Sequence, residues 1–495
     1  MRPYRTAAGG ETRTLTLRGS QARRRPMPQY RRRRWREANA LRLDLNGLLA
    51  GAVGGDGIAP EELGAFEPEL LRVRDAIAAR RAAGELSFTA LPHEREPVRR
   101  VLEVAAAVQG QFDALVVLGI GGSALGIRAL AGALATEGSA LRIVVADSID
   151  PETFGPLLAG LDLRRTLFNV VSKSGETAET MAQFMIVRDR LMHQLGAVDY
   201  KRHLVVTTDA RHGSLRQIVN DEGFQQLVIP EGIDGRYSVL TAVGLFPAAA
   251  AGIDIEELLA GAASMDERGR AAPTPLRDPA LALAGALWLL ATRRQKRMLV
   301  LMAYCERLAA TGDWFCQLWA ESLGKSVELG DRTAVWGQTP IRLGPADQHS
   351  QLQLFVDGPP DKVVVFLRVD DHGAAVDVPA TYQDLEGVGY LGGHSLGALL
   401  NAEQRATELA LAKRGRPSAT LTLPGVTAFT LGQLLFLLQM AAVDLAAIAG
   451  IDPFGQPGVE ESRRLAFGLL GRPGFEASHD EVEGWLAQKD TRFIL

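Results

Sequence analysis

Residues 170–180 read VVSKSGETAET, from Val170 to Thr180. The stretch begins as a buried strand and turns abruptly into hydroxyls, a glycine and carboxylates. Ser172, Ser174 and Thr177 can donate hydroxyl hydrogen bonds, and Gly175 lets a backbone approach a ligand closely. A helix starting at about Glu176 would add free amides and the positive end of its dipole, which together attract an anion. An ordinary capping loop looks similar, since Ser-Gly-Glu-Thr is also a good helix start. Glu176 and Glu179 then sit in the first turn, where carboxylates are favoured whether or not they touch a ligand.

Outward from this stretch the same alternation repeats. ALVVLGIGGSALGIRALAGAL (114–134) is an apolar run, a glycine turn and a helical segment. RIVVADSI (142–149) and HLVVTTD (203–209) are further short β-branched runs, each followed by helix-like sequence. Strands alternating with helices at this spacing predict a parallel, doubly wound sheet in residues 113–272. A second unit is expected over 283–450. Its strands are RMLVLMAY (297–304) and KVVVFLRV (362–369), its helices 305–323 and 396–413, and 420–450 adds a strand and a long apolar helix. PTPLRDPA (273–280) is the natural linker. Residues 41–112 carry helical spacing, and 451–495 form a C-terminal helical segment. The expected class is α/β, two doubly wound αβα units with helical additions at both ends.

The chain has 495 residues and a net charge of −4. The first forty residues hold twelve Arg and two Glu, so the rest is strongly acidic. Residues 1–40 read as a disordered tail. An acidic body argues against nucleic acid as a partner. No uninterrupted apolar run reaches transmembrane length, which argues against a membrane. Two cysteines, Cys305 and Cys316, lie in apolar sequence and read as buried thiols of a reducing compartment, the cytoplasm.

The turn GIGGSALG (119–126) has a rival reading. Gly119, Gly121 and Ala124 after a strand fit a dinucleotide fingerprint, and Asp147 ends the next strand as a ribose-binding acid would. On that reading the protein is a nicotinamide oxidoreductase. A second, hydroxyl-lined cradle two strands later has no place in such a site.

In this order, GIGGSALG and SKSGETAET resemble the sugar-isomerase (SIS) phosphosugar-binding domain. Three later stretches narrow the resemblance to the glucose-6-phosphate isomerase family: GIDGRYSVLTAVG (232–244), ESLGK (321–325) leading to ADQHSQLQLF (346–355), and DPFGQPGVEESRR (452–464). The resemblance implies two SIS units and a homodimer acting on a sugar phosphate with no cofactor and no metal. It implies that Glu321 is the catalytic base and Arg236 the cation facing the enediol oxygens. His349 matches the ring-opening histidine, contributed by the neighbouring subunit. Ser172, Lys173, Ser174, Thr177 and Gln456 match phosphate contacts, and Gly122 and Ser123 contacts to the rest of the substrate. Two positions depart from the pattern. Gly455 stands where Asp or Asn is usual, and Arg463 where the family has a catalytic lysine. Arginine stays protonated and presents a planar fork, so it can hold an oxygen but is a poor proton donor. Ring opening is then expected to rest more on His349.

The chemistry needs these residue types. Interconverting an aldose and a ketose moves a proton between adjacent carbons, and one carboxylate withdrawn from water can take it and return it. A fixed cation stabilises the charge that develops on the enediol. Histidine titrates in the range needed to open the sugar ring. The phosphate is a remote handle whose binding orients the reacting end. Two alternatives stand beside this one: a non-catalytic SIS protein that senses a sugar phosphate, and an isomerase that also accepts mannose 6-phosphate.

Overall fold

The computed structural model describes residues 28–329 and 332–495. Twelve strands form two five-stranded sheets and a hairpin among these residues. They are β1 Arg42–Asp44, β2 Ala114–Leu118, β3 Arg142–Ala146, β4 Thr166–Ser172, β5 Leu204–Asp209, β6 Gln225–Ile229, β7 Met298–Ala303, β8 Lys325–Leu329, β9 Arg332–Trp336, β10 Thr339–Leu343, β11 Lys362–Asp371 and β12 Ser418–Gly425.

The first sheet is wholly parallel, in the order β3-β2-β4-β5-β6. The chain builds β3 on one side of β2 and then crosses to place β4 on the other. The winding reverses between β2 and β4, and in a doubly wound sheet the crevice at such a switch point is where ligands bind. Their register, Leu118 opposite Val170, brings the two glycine- and hydroxyl-rich turns side by side at the carboxyl edge. Every residue of β4 is buried. Asn169, in its middle, donates from Nδ2 to Val205 O at 3.0 Å and to Thr207 Oγ1 at 2.9 Å, which ties β4 to β5.

The second sheet has the order β1-β12-β11-β7-β10, parallel except for β1. β10 lies at an edge, where Pro340 is tolerated because no ladder bond is lost. The segment over 41–112 is not only helical, because it supplies β1, antiparallel to β12. The expected tail also divides. Residues 1–27 lie outside the described residues, but 28–40 fold onto the body. Arg33–Ala38 is a helix, and Trp35 meets Phe429 edge to face at 5.0 Å. Gln433 accepts from Leu41 N at 3.1 Å and donates to Asn39 O at 2.9 Å.

Helix Ala428–Ala449, largely apolar, is long enough to span a membrane by length and composition but is buried here against helices Ile255–Arg270, Pro279–Arg293 and Ala309–Leu323. Its glutamines are spent on tethers. Gln433 fixes the N-terminal segment, and Gln439 donates to Tyr237 O at 3.3 Å, beside the site described next.

Candidate active site

The cradle begins where β4 ends. Ser172 is buried, and its Oγ accepts from Gly175 N at 3.0 Å and lies 3.2 Å from Thr177 Oγ1. Ser172 therefore shapes the loop from inside. The exposed Ser174 accepts from Glu176 N at 3.2 Å. Gly175 has φ +66°, and a Cβ there would lie 2.5 Å from Leu215 N, so only glycine fits. The helix starts at Ala178, two residues later than expected from sequence, with Thr177 as its first flanking residue and no side chain capping it. Its first amides are left for an anion. Lys173 sends its ammonium sideways to Ile233 O at 2.8 Å, tying the cradle to the segment that carries Arg236.

The second turn, Gly121–Ser123, follows β2. A Cβ on Gly122 would lie 2.3 Å from the carbonyl carbon of Gly235, so the turn packs backbone on backbone against the residue before Arg236. Ser238 Oγ donates to Gly122 O at 3.3 Å and to Gly235 O at 2.6 Å, sealing the contact. Gly122 thus packs on the backbone of Gly235, next to Arg236, and Ser123 follows it in the same turn.

Arg236 is 1% exposed and joins three distant parts of the chain. Its Nε donates to Ser322 Oγ at 2.9 Å. Nη1 reaches Glu321 Oε2 at 3.4 Å and Gln456 Oε1 at 3.2 Å. Nη2 donates to Pro453 O and to Gly455 O, the latter at 3.1 Å, with Asp234 Oδ2 at 3.4 Å. A buried guanidinium needs this many acceptors, since each unpaired N–H would be expensive. Tyr237, beneath it, shares a 2.9 Å contact with Ser322 Oγ, and burial pushes its phenol up to about 12.

Glu321 lies near the end of helix Ala309–Leu323, its side chain 31% exposed. One oxygen faces Arg236, and the other accepts from Gln317 Nε2 at 3.0 Å. Gln317 was not singled out from sequence. It sits one helical turn before Glu321, on the same face, and its amide also lies 3.1 Å from where a Cβ of Gly121 would be. Spacing of four residues from a proposed base was the available signal.

The loop 452–456 closes the group. Gly455 N donates to Asp234 Oδ2 at 2.8 Å. Gly455 has φ +65°, in the left-handed region that Gly, Asn and Asp populate most readily, so this departure keeps the loop's shape. Lys325 Nζ donates to Phe454 O at 2.9 Å and also to Gly455 O. Burial, then the Arg236 charge, hold its ammonium below the usual lysine range. Lys325 and Arg236 therefore grip the same loop from two sides. Lys325→Met is expected to release Gln456 and raise KM about tenfold or more, the worth of a charge-assisted hydrogen bond. Steady-state kinetics, with Lys325→Arg as a partial rescue, check this.

Two candidates lie apart from this group. His349 ends the turn Pro345–His349 and is exposed. Arg463, on helix Pro457–Leu469, is 49% exposed, and its hydrogen bonds among the described residues go to Glu460, at 2.9 and 3.1 Å. Its neighbour Arg464 is held by Glu461, Ser478 and Glu481. In a single chain neither His349 nor Arg463 contacts Arg236 or Glu321. The cradle is linked to the C-terminal segment by another residue, Arg472, which donates to Glu176 at 2.9 Å.

A phosphoglucose isomerase family model matches residues 102–374. The chain is 38% identical over 467 residues to a glucose-6-phosphate isomerase of Carboxydothermus hydrogenoformans, spanning 92% of this chain and 100% of that one. A hypothetical protein from Thermus thermophilus superposes with a TM-score of 0.79 at 37% identity, covering 87% of this chain and 100% of that one. A glucose-6-phosphate isomerase from Chlamydia trachomatis superposes at 0.75 with 22% identity, covering 87% and 90%, a likeness of fold.

Proposed function

The chain belongs to the phosphoglucose isomerase family, and from that membership we propose that it interconverts glucose 6-phosphate and fructose 6-phosphate through an enediol. The observation that carries the assignment to this site is the convergence on Arg236. One buried cation bridges the carboxylate Glu321 and the amide Gln456, beside a hydroxyl-lined cradle at the same sheet edge.

The phosphate enters the Ser172–Thr177 loop and the first amides of helix Ala178–Asp199, which fixes the remote end of the sugar. Glu321 then takes the proton from one carbon and returns it to its neighbour. Arg236 Nη1, next to that carboxylate, is the cation that steadies the enediol charge in a water-poor setting. A coupled assay from fructose 6-phosphate to glucose 6-phosphate with EDTA present tests the reading. Turnover that survives EDTA supports it. Sugar-phosphate binding without turnover would instead make the protein a sensor.

We place the ring-opening acid on a second copy of the chain, with His349 crossing into its partner's site. Support comes from the exposure of His349 and from the excursion after β11, which leaves Val376, Tyr382, Leu385 and Tyr390 open to solvent. If each site draws on both chains, mixing inactive Glu321→Gln and His349→Ala proteins after dissociation restores about a quarter of wild-type activity, one intact site in each mixed dimer. No recovery on mixing would place His349 outside the shared site. Two unpaired cysteines, Cys305 and Cys316, support a cytoplasmic setting.

A further inference from the structure

A cavity of about 580 Å³ that shares no residue with the site above opens between helices Pro60–Ala82 and Ile255–Arg270. Helix Ala428–Ala449 and the start of helix Pro279–Arg293 complete it. Its apolar lining includes Ile77, Met265, Leu281, Phe436 and Met440. Asp444 also lines it and is only 3% exposed, yet its Oδ2 has no hydrogen-bond partner among the described residues. A buried acceptor left unpaired is among the costlier features of a fold.

Asp75, exposed, also lines the cavity; the other neighbouring charges are mostly committed. Arg81 and Arg270 both bind Asp266, which His93 Nε2 also meets at 2.8 Å. Arg268 donates to Leu41 O at 2.7 Å and Arg74 to Ala272 O at 3.4 Å. Asp278 caps its helix through Ala280 N at 3.0 Å and Leu281 N at 3.5 Å. Arg81 Nε is a donor still without a partner among the described residues. Burial, then the Asp278 charge, hold the Asp444 carboxyl well above its ordinary range, with Arg81 opposing, and burial raises Asp278 too.

We propose that this cavity is a second ligand site, which takes a small organic ammonium with an apolar body and seats its N–H groups on Asp444. Apolar walls around a few fixed polar groups are the usual form of a small-molecule pocket. An ammonium is favoured over a neutral donor because its N–H groups satisfy the orphaned oxygen and its charge pairs with the Asp444 carboxylate once that group ionises. A metal ion is a poor fit, since no group of three or more His, Cys, Asp or Glu is placed to hold one among the described residues. The inference stands independently of the isomerase assignment.

The test uses phenethylammonium chloride as the probe on the full chain, followed by saturation-transfer NMR, with phenethyl alcohol and 3-phenylpropionate as isosteres. Saturable binding of the ammonium is expected, tightening as pH rises and Asp444 ionises while the probe stays charged. Asp444→Asn should weaken it at least about tenfold, and Met440→Trp, which fills the cavity, should also remove it. Thermal melts and isomerase activity show that both variants are folded. Absence of saturable binding, equal binding by Asp444→Asn, or equal binding of the alcohol overturns the proposal.

Discussion

Glu321→Gln is expected to lower kcat by roughly 10²- to 10⁴-fold, the range that a positioned acid–base group contributes, while KM changes by no more than a few-fold. The substitution keeps the side chain's shape and removes its ability to carry a proton. Both Glu321 oxygens accept, one from Gln317 Nε2 and one from Arg236 Nη1. A glutamine can accept at only one of these places, so its amide N–H₂ faces a donor at the other. That mismatch tilts the side chain locally but leaves the Ser172–Thr177 cradle untouched. Substrate affinity should therefore survive, the pattern of an interaction made mainly in the transition state. Coupled kinetics over a range of substrate concentrations separate the two constants. A variant that keeps kcat within tenfold of wild type would mean that another group moves the proton.

The second large effect is expected at Arg236, in stability as well as rate. Arg236→Leu removes a buried cation and leaves Asp234, Glu321, the carbonyls of Pro453 and Gly455 and the Gln456 amide without their shared donor. Breaking a buried, hydrogen-bonded charge from one side costs about 3–5 kcal/mol. The loop 452–456 should come loose, with kcat/KM falling at least about 10³-fold, since both the proposed enediol cation and the position of Gln456 go together. Arg236→Lys should recover little, because one ammonium cannot reproduce a fork directed at acceptors on three segments. Thermal melting beside kcat/KM measures both effects. A variant that melts like wild type would show that the loop is held elsewhere, through Lys325 and the Phe454–Tyr237 contact at 5.4 Å.

Strand-and-turn units were legible where the pattern is local. VVSKSGETAET changes period within a few residues, and its structure follows: a buried strand to Ser172, a turn that needs Gly175, then a helix. The helix boundary moved by two residues because Ser172 and Ser174 use the amides of Gly175 and Glu176 to shape the turn. The elements that went unrecognised are short or depend on distant partners. β1 has three residues and exists as a strand because β12, almost four hundred residues away, offers it an edge. Residues 33–38 looked like part of a charged tail, and only Phe429 and Gln433 reveal what the segment packs on.

The amino-acid pattern by itself determined the doubly wound sheets, the two turns at the carboxyl edge and, through resemblance, the residue types of an isomerase. Periodicity and turn chemistry act over neighbouring residues, so they can be read without coordinates. Only the tertiary structure decided which of those residues meet. It gathers Arg236, Gln317, Glu321, Lys325 and Gln456, spread over more than two hundred positions, around one guanidinium. It leaves His349 and Arg463 outside that group in a single chain. A buried charge must collect its acceptors from wherever the fold brings them, and that requirement appears only when the chain is closed.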